Sequence, residues 1–386
     1  MGPSQTVIAF SQEVRAKQNT HIFLHRQPVQ PDRRKRQPSP QPIKDGAMKK
    51  ILLGLLMAAA LSRASADPLE EATAANGRGD YAAEQRITRP FASQGAAWAQ
   101  AFLGDSYAFG QGVVQNYAEA VKWYRLAAEQ DHASARFNLG FMYANGQGVV
   151  QNYAEAAKWY RLAATQGNSS AQFALGFLHL QGQGVMQDDA EAVKWHRLAA
   201  EQGNAGAQFS LGVLHDSGQG VVQDHAQAMK WYLLAAEQGH ANARFNVGVL
   251  HDKGRGVVQD HAEAAKWYRL AAAQGHVKAQ NQLGLLHDSG KGVVQDPAKA
   301  MTWYLLAAEQ GSASAQFNLG LMHDQGQGVV RDPKKALMWF TLAADNGSSE
   351  SVKARDTVAQ RMTVQQISEA QTKARQCLER NFKGCD

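Results

Sequence analysis

Tryptophan recurs in this chain at a fixed step of 36 residues, at Trp123, Trp159, Trp195, Trp231, Trp267, Trp303 and Trp339. Gly-x-Gly pairs keep the same step, at Gly110/Gly112, Gly146/Gly148, Gly182/Gly184, Gly218/Gly220, Gly254/Gly256, Gly290/Gly292 and Gly326/Gly328, without an insertion in any register. Such a period restricts the fold to stacked copies of one supersecondary unit, because one short unit cannot bury its own apolar face. A length of 386 residues otherwise suggests two or three ordinary domains. The repeat predicts one elongated array instead.

Each unit reads as two helices. In the first, over 133–145, Ala135, Leu139, Met142 and Tyr143 share a face, and Gly146 supplies the left-handed residue that ends a helix. The second starts at Asn152 and places Ala156, Trp159, Tyr160, Ala163 and Ala164 on its apolar stripe. Asn152 is an N-cap, and Glu155 three residues on predicts a capping box, repeated as Asn116/Glu119, Asp188/Glu191 and Asp260/Glu263. Pro297 and Pro333 occupy the first helical position, which tolerates proline, and Gly167, Gly203, Gly239, Gly275, Gly311 and Gly347 stop the second helices. Asp131 stands where the other units have that glycine, which predicts a strained or differently shaped turn. Gly140, Gly176 and Gly212 lie inside first helices, where glycine costs about 1 kcal/mol; their recurrence predicts close helix packing beside the tryptophan.

The pattern Ala-x-x-x-Leu-Gly-x-x-Tyr/His-x-x-Gly-x-Gly-Val-x-x-Asp-x-x-x-Ala-x-x-Trp-Tyr-x-x-Ala-Ala-x-x-Gly resembles the Sel1-like repeat, a relative of the tetratricopeptide repeat. It covers 97–347 as seven repeats, with a degenerate half-repeat in 67–96. The resemblance implies an all-α fold, a right-handed α/α superhelix of 36-residue helix pairs, and a scaffold that assembles protein complexes. Residues 348–386 leave the repeat. Thr363 and Gln366 form a further capping box, and Ile367, Ala370, Ala374, Cys377 and Leu378 make an apolar stripe, as a C-terminal capping helix needs.

Charge and cysteine usage bear on location and partners. Residues 1–66 hold eleven Lys/Arg and three Asp/Glu, whereas the rest holds 29 against 31, so the overall charge of +6 belongs to the leader and nucleic-acid binding loses its support. Met48-Lys49-Lys50, the apolar run 51–61 and the Ala64-Ser65-Ala66 cleavage pattern read as a signal peptide over 48–66, too short to span a bilayer, which takes about 20 residues. A periplasmic or secreted bacterial protein with no membrane span after cleavage is expected. Residues 1–47, rich in Gln, Pro and Arg, are read as a non-native or disordered extension ahead of translation from Met48; the alternative is a true basic arm before an anchoring helix. The only two cysteines, Cys377 and Cys385, predict a disulfide in an exported protein, with two free thiols as the alternative.

His179, His215, His251, His287 and His323 form a ladder, and the last four precede Asp216, Asp252, Asp288 and Asp324. Adjacent helical residues point about 100° apart and successive repeats lie about 10 Å apart. One ion cannot be shared, so the histidines read as core with hydrogen-bonded rings, and neither metal nor cofactor is expected. If first helices line a concave groove, as in tetratricopeptide arrays, Phe137, Phe173, Phe209, Phe245 and Phe317 face it beside those aspartates. That predicts aromatic pockets with an acidic rim for a protein partner, basic in character. The alternative is that the phenylalanines are core and the aspartates solvated or capping. The Trp-Tyr pairs read as core rather than sugar platforms.

Chemistry finds little support. Some members of a disulfide-stapled branch of the family are associated with penicillin binding or β-lactam hydrolysis, but this chain lacks S-x-x-K, G-x-S-x-G and a cysteine pair per repeat. It also lacks H-E-x-x-H and the phosphate-binding G-x-x-x-x-G-K. An exported scaffold that is no enzyme is expected; the alternative is an envelope enzyme of the β-lactamase-like or peptidoglycan-acting kind.

Overall fold

The structure is a computed structural model that describes residues 67–385. The extension read in 1–47 and the signal segment read in 48–66 lie outside the described residues. Eighteen helices and no strand occur among the described residues. They fall into two units, one ending at Trp159 and one beginning at Tyr160.

The first unit holds α1 (Pro68–Gly77), α2 (Tyr81–Ser93), α3 (Ala97–Phe109), α4 (Tyr117–Glu129), α5 (Ala133–Asn145) and the start of α6 (Tyr153–Thr165). The second continues with α7 (Ser169–Gln181), α8 (Asp189–Glu201), α9 (Ala205–Ser217), α10 (His225–Glu237), α11 (Ala241–Lys253), α12 (His261–Ala272), α13 (Val277–Ser289), α14 (Pro297–Ala308), α15 (Ala313–Gln325) and α16 (Pro333–Asp345). It ends with α17 (Ser349–Ala359) and α18 (Val364–Glu379). Successive helices pack on one another from α1 to α5 and from α7 to α16, the arrangement of a solenoid of helix pairs, and α17 and α18 both pack on α16.

Local chemistry sets the ends of these helices. Asn116, Asn152, Asp188, Asp224, Asp260, Asp296 and Asp332 each accept from the backbone N–H three residues on, at 2.9–3.1 Å. The same residues close the interhelical loop by donating their own N–H to the carbonyl of Tyr107, Tyr143, His179, His215, His251, His287 or His323, at 2.8–3.1 Å. The capping boxes of the second helices are only half formed, correcting the sequence reading. Glu119, Glu191 and Glu263 turn forward to Lys122, Lys194 and Lys266 at 2.6–2.8 Å, and Glu155 to Lys158 at 3.8 Å. These exposed pairs are screened by solvent and contribute little to stability. Thr363 and Gln366 do make both bonds of their box. Asp131 takes the glycine's left-handed backbone, φ 65°, and its carboxylate pairs with Arg136.

The buried aromatic of most repeats is the residue after the tryptophan. Tyr124, Tyr160, Tyr232, Tyr268 and Tyr304 are at most 2% exposed, with His196 and Phe340 in the same slot, while Trp123 to Trp303 are half-buried. The glycines inside first helices make room for these rings rather than for the tryptophan that the sequence suggested. A methyl group on Gly212, Gly248 or Gly284 would overlap the ring of Tyr232, Tyr268 or Tyr304. Trp123, Trp231, Trp267 and Trp303 each close over the core on their N-terminal side, as Trp267 does on the cluster around Tyr232 and Leu250. Trp339 differs: it is fully buried, because α18 covers it with Ala374 and Cys377.

Glutamines tie the stacked helices together. Gln172, Gln208, Gln280 and Gln316 are buried; Gln202, Gln238, Gln310 and Asn346 donate to them at 2.7–2.9 Å. Buried amides satisfied in this way fix register between repeats.

On the capping helix Ala370, Ala374 and Cys377 are buried and Ile367 is partly buried, but Leu378 is 38% exposed and falls off the stripe. Cys377 and Cys385 are joined by a disulfide, with Cα atoms 5.3 Å apart, and Phe382 between them packs on the same core. Closing so short a loop should stabilise the tail by about 2–3 kcal/mol. Protein prepared without reductant should therefore carry no alkylatable thiol by intact mass, and two labelled cysteines would refute the bridge in the native protein.

Candidate partner-binding surface

In the second unit the first helices repeat one surface. Phe209, Val213 and Asp216 stand at i, i+4 and i+7 on α9, which puts them on one face. The same places hold Phe173, Phe177 and Leu180 on α7, Phe245, Val249 and Asp252 on α11, Asn281, Leu285 and Asp288 on α13, and Phe317, Leu321 and Asp324 on α15. The middle position keeps much of its apolar surface, with Val213 37% and Leu285 39% exposed. The sequence reading missed it because Phe, Val and Leu alternate there and no single letter recurs.

The phenylalanines of this unit are half-buried and knit the repeats together as well as facing outward. Phe209 lies 5.8 Å from the ring of Tyr232 and stacks on His240 at 4.5 Å, and Phe245 lies likewise on Tyr268 at 5.6 Å and His276 at 4.6 Å. Phe173 and Phe317 pack on His196 and Phe340, at 5.4 Å and 5.6 Å. In the first unit Phe137 is 5% exposed and belongs to the core rather than to a pocket.

Most aspartates of the expected acidic rim have partners within the chain. Asp216 and Asp252 bond the ring Nδ1 of His225 and His261 across the loop, at 2.7 Å and 2.9 Å. Asp324 receives both bonds of Arg361 at 3.0–3.1 Å. The histidine stands nine residues after the aspartate, and nine residues after Asp288 the sequence has Pro297 instead. Burial, and then the charges of Asp216, Asp252 and Asp288, raise the hydroxyls of Tyr232, Tyr268 and Tyr304 well above the usual phenol range.

The histidine ladder lies inside, with His179, His215, His287 and His323 buried and His251 half-buried. Of the ring bonds expected there, His287 shows a long one, 3.4 Å to the carbonyl of Val294. Neither ring nitrogen of His179 has a hydrogen-bond partner. Burial and then Arg197 lower His215, while Asp224 opposes them. Among the described residues no cluster of three or more His, Cys, Asp or Glu could hold a metal ion, and no helix is long and apolar enough to cross a membrane. A second ladder passed unnoticed in the sequence although it keeps the 36-residue step. Val114 and Val150 in the first unit, and Met186, Val222, Val258, Val294 and Val330 in the second, are 84–89% exposed in the interhelical loops.

The Sel1 repeat family model matches seven consecutive segments, 99–132, 133–168, 169–204, 205–240, 241–276, 277–312 and 313–348. Among solved structures, a Sel1 repeat protein from Oxalobacter formigenes is 32% identical with a TM-score of 0.56, over 63% of this chain and 96% of that one. A protective antigen present in uropathogenic Escherichia coli strains, displaying an SLR fold, is 28% identical with a TM-score of 0.35, over 86% of this chain and 96% of that one. Comparison with curated proteins gave no match. Seven adjoining copies, each carrying the helix pair, the interhelical glycines and the buried ring that the repeat requires, make this chain a member of the Sel1 repeat family, whose proteins are typically non-enzymatic protein-interaction scaffolds.

Proposed function

We propose that the protein is an exported scaffold that binds a protein partner along the first helices of its repeats and catalyses no reaction. The observation that carries this is the half-exposed apolar row of Phe177, Val213, Val249, Leu285 and Leu321. A repeated apolar face is how helical repeats recognise extended or helical segments. Affinity comes from this row. The aspartates add little steering, since Asp216, Asp252 and Asp324 already have partners within the chain. Export rests on the signal pattern of 48–66.

A photo-crosslinking residue at Val249 should trap a partner in envelope extracts of the source cell, and Val213→Asp with Leu285→Asp should abolish the adduct without changing the melting temperature. Leu234→Asp, on a second helix and 43% exposed, should leave it intact. An adduct indifferent to the first-helix changes places the partner elsewhere. Asp67 as the first residue of the native protein supports export, and turnover of a chromogenic β-lactam by purified protein overturns the scaffold reading.

A further inference from the structure

One face of α3 departs from every other first helix. Trp98, Phe102, Asp105 and Phe109 stand at i, i+4, i+7 and i+11, on one side of the helix. The same places hold Ser134, Asn138, Phe141 and Asn145 on α5, and Gly206, Ser210, Val213 and Ser217 on α9. The first repeat thus gathers three aromatic rings where the others carry small or polar side chains. It sets a carboxylate where the other six have Phe, Val or Leu.

Trp98 and Phe102 form a ring cluster with Phe91, and Phe109 stands one turn beyond Asp105. Trp98 lies 5.5 Å from Phe91 and 6.2 Å, edge-on, from Phe102, and Phe109 is 43% exposed. Asp105 is half-buried beside them. Its Oδ1 accepts from the Tyr124 hydroxyl at 2.7 Å and from Nδ2 of Asn138 at 3.1 Å. Both donors are neutral, and no Lys or Arg among the described residues pairs with it. Glu84 on α2 is fully buried and is also held by neutral groups, Asn76 at 2.9 Å and Ser106 at 3.2 Å. Burial raises Asp105 to about 6, against the Tyr124 bond and with a further push from the charge of Glu84. Burial raises Glu84 as well. A carboxylate kept in this setting is costly unless a cation compensates it.

We propose that this face of α3 binds the cationic side chain of a lysine or arginine of the protein partner, with its charge on Asp105 and its stem against Phe102 and Trp98. Aromatic faces attract cations and cover aliphatic stems, and partial burial strengthens both effects. An anionic ligand is excluded by the two carboxylates. The inference takes from the protein-binding reading only the source of the cation.

The test uses the full-length protein and the peptide acetyl-Ala-Lys-Ala-amide, followed by the indole N–H signal of Trp98, which Trp98→Phe assigns. The peptide should shift this signal saturably, and the same peptide acetylated on the lysine nitrogen should not. Asp105→Val, which installs a residue that other repeats use, should weaken binding at least tenfold and leave the melting temperature equal or higher. Should that variant misfold, Asp105→Asn serves instead. An equal shift with the acetylated peptide, undiminished binding by either variant, or no shift at the solubility limit of the peptide overturns the assignment. The short peptide has no apolar stretch for the row on α7 to α15, so its failure to bind leaves that row's reading standing. Loss of the partner adduct with peptide binding intact does the reverse.

Discussion

Trp339→Ala should destabilise the second unit by about 3–5 kcal/mol, the range for removing a large buried aromatic, whereas Trp231→Ala should cost roughly 1–2 kcal/mol, because much less area leaves water. The two side chains occupy the same register in sequence. Trp339 is fully buried under α18 among Tyr304, Leu319, Leu342 and Cys377, while Trp231 is half-buried at the edge of the cluster around Leu211 and Leu214. The indole N–H of Trp339 has no hydrogen-bond partner, so the loss is one of packing and the cavity left behind. Repeat arrays can open in parts. The loss should therefore appear first as faster amide exchange in α16 and α18 and then as a lower denaturation midpoint. Equal losses at the two positions would mean that the cap does not cover Trp339 in solution.

The second large effect is expected at a glycine. Gly292→Ala should cost about 3 kcal/mol or more, whereas Gly275→Ala should cost only about 1 kcal/mol. Both residues have left-handed backbones, φ 67° and 80°, so both alanines meet the same conformational penalty, about 1 kcal/mol. They differ in what surrounds the added methyl. At Gly275 no atom lies within 4 Å, but at Gly292 the methyl would overlap the backbone of His261 and Ala262, at the start of the preceding second helix. Backbone inside a packed array has little room to yield, so overpacking adds about 1–3 kcal/mol. Paired denaturant titrations measure the difference. If the two midpoints shift alike, the loop relaxes and the close approach is not a constraint.

The candidate surface was only partly readable in the sequence. Phe209 and Asp216 belong to it by position, since a spacing of seven residues shares a helix face. Val213 between them carried no recurring letter. The aspartates were expected to face a partner, but their bonds to His225, His261 and Arg361 span a loop or a neighbouring element, and periodicity says nothing about such contacts. Asp105 is a single departure inside a regular pattern, and a search for recurrence passes over it.

The sequence by itself determined the period, the all-α class and the ends of the helices. These follow from interactions within about four residues: an Asn or Asp accepting from an N–H one turn on, a glycine taking a left-handed backbone, the Thr363/Gln366 box. Tertiary structure alone decided which of two adjacent aromatics is buried. Trp231 and Tyr232 point about 100° apart and are both large and apolar. Tyr232 goes inside because Gly212 on the facing helix leaves space for its ring, and Trp339 becomes core where the others stay half-exposed because a later helix folds over it. Burial depends on neighbours brought from far along the chain, and local pattern does not specify them.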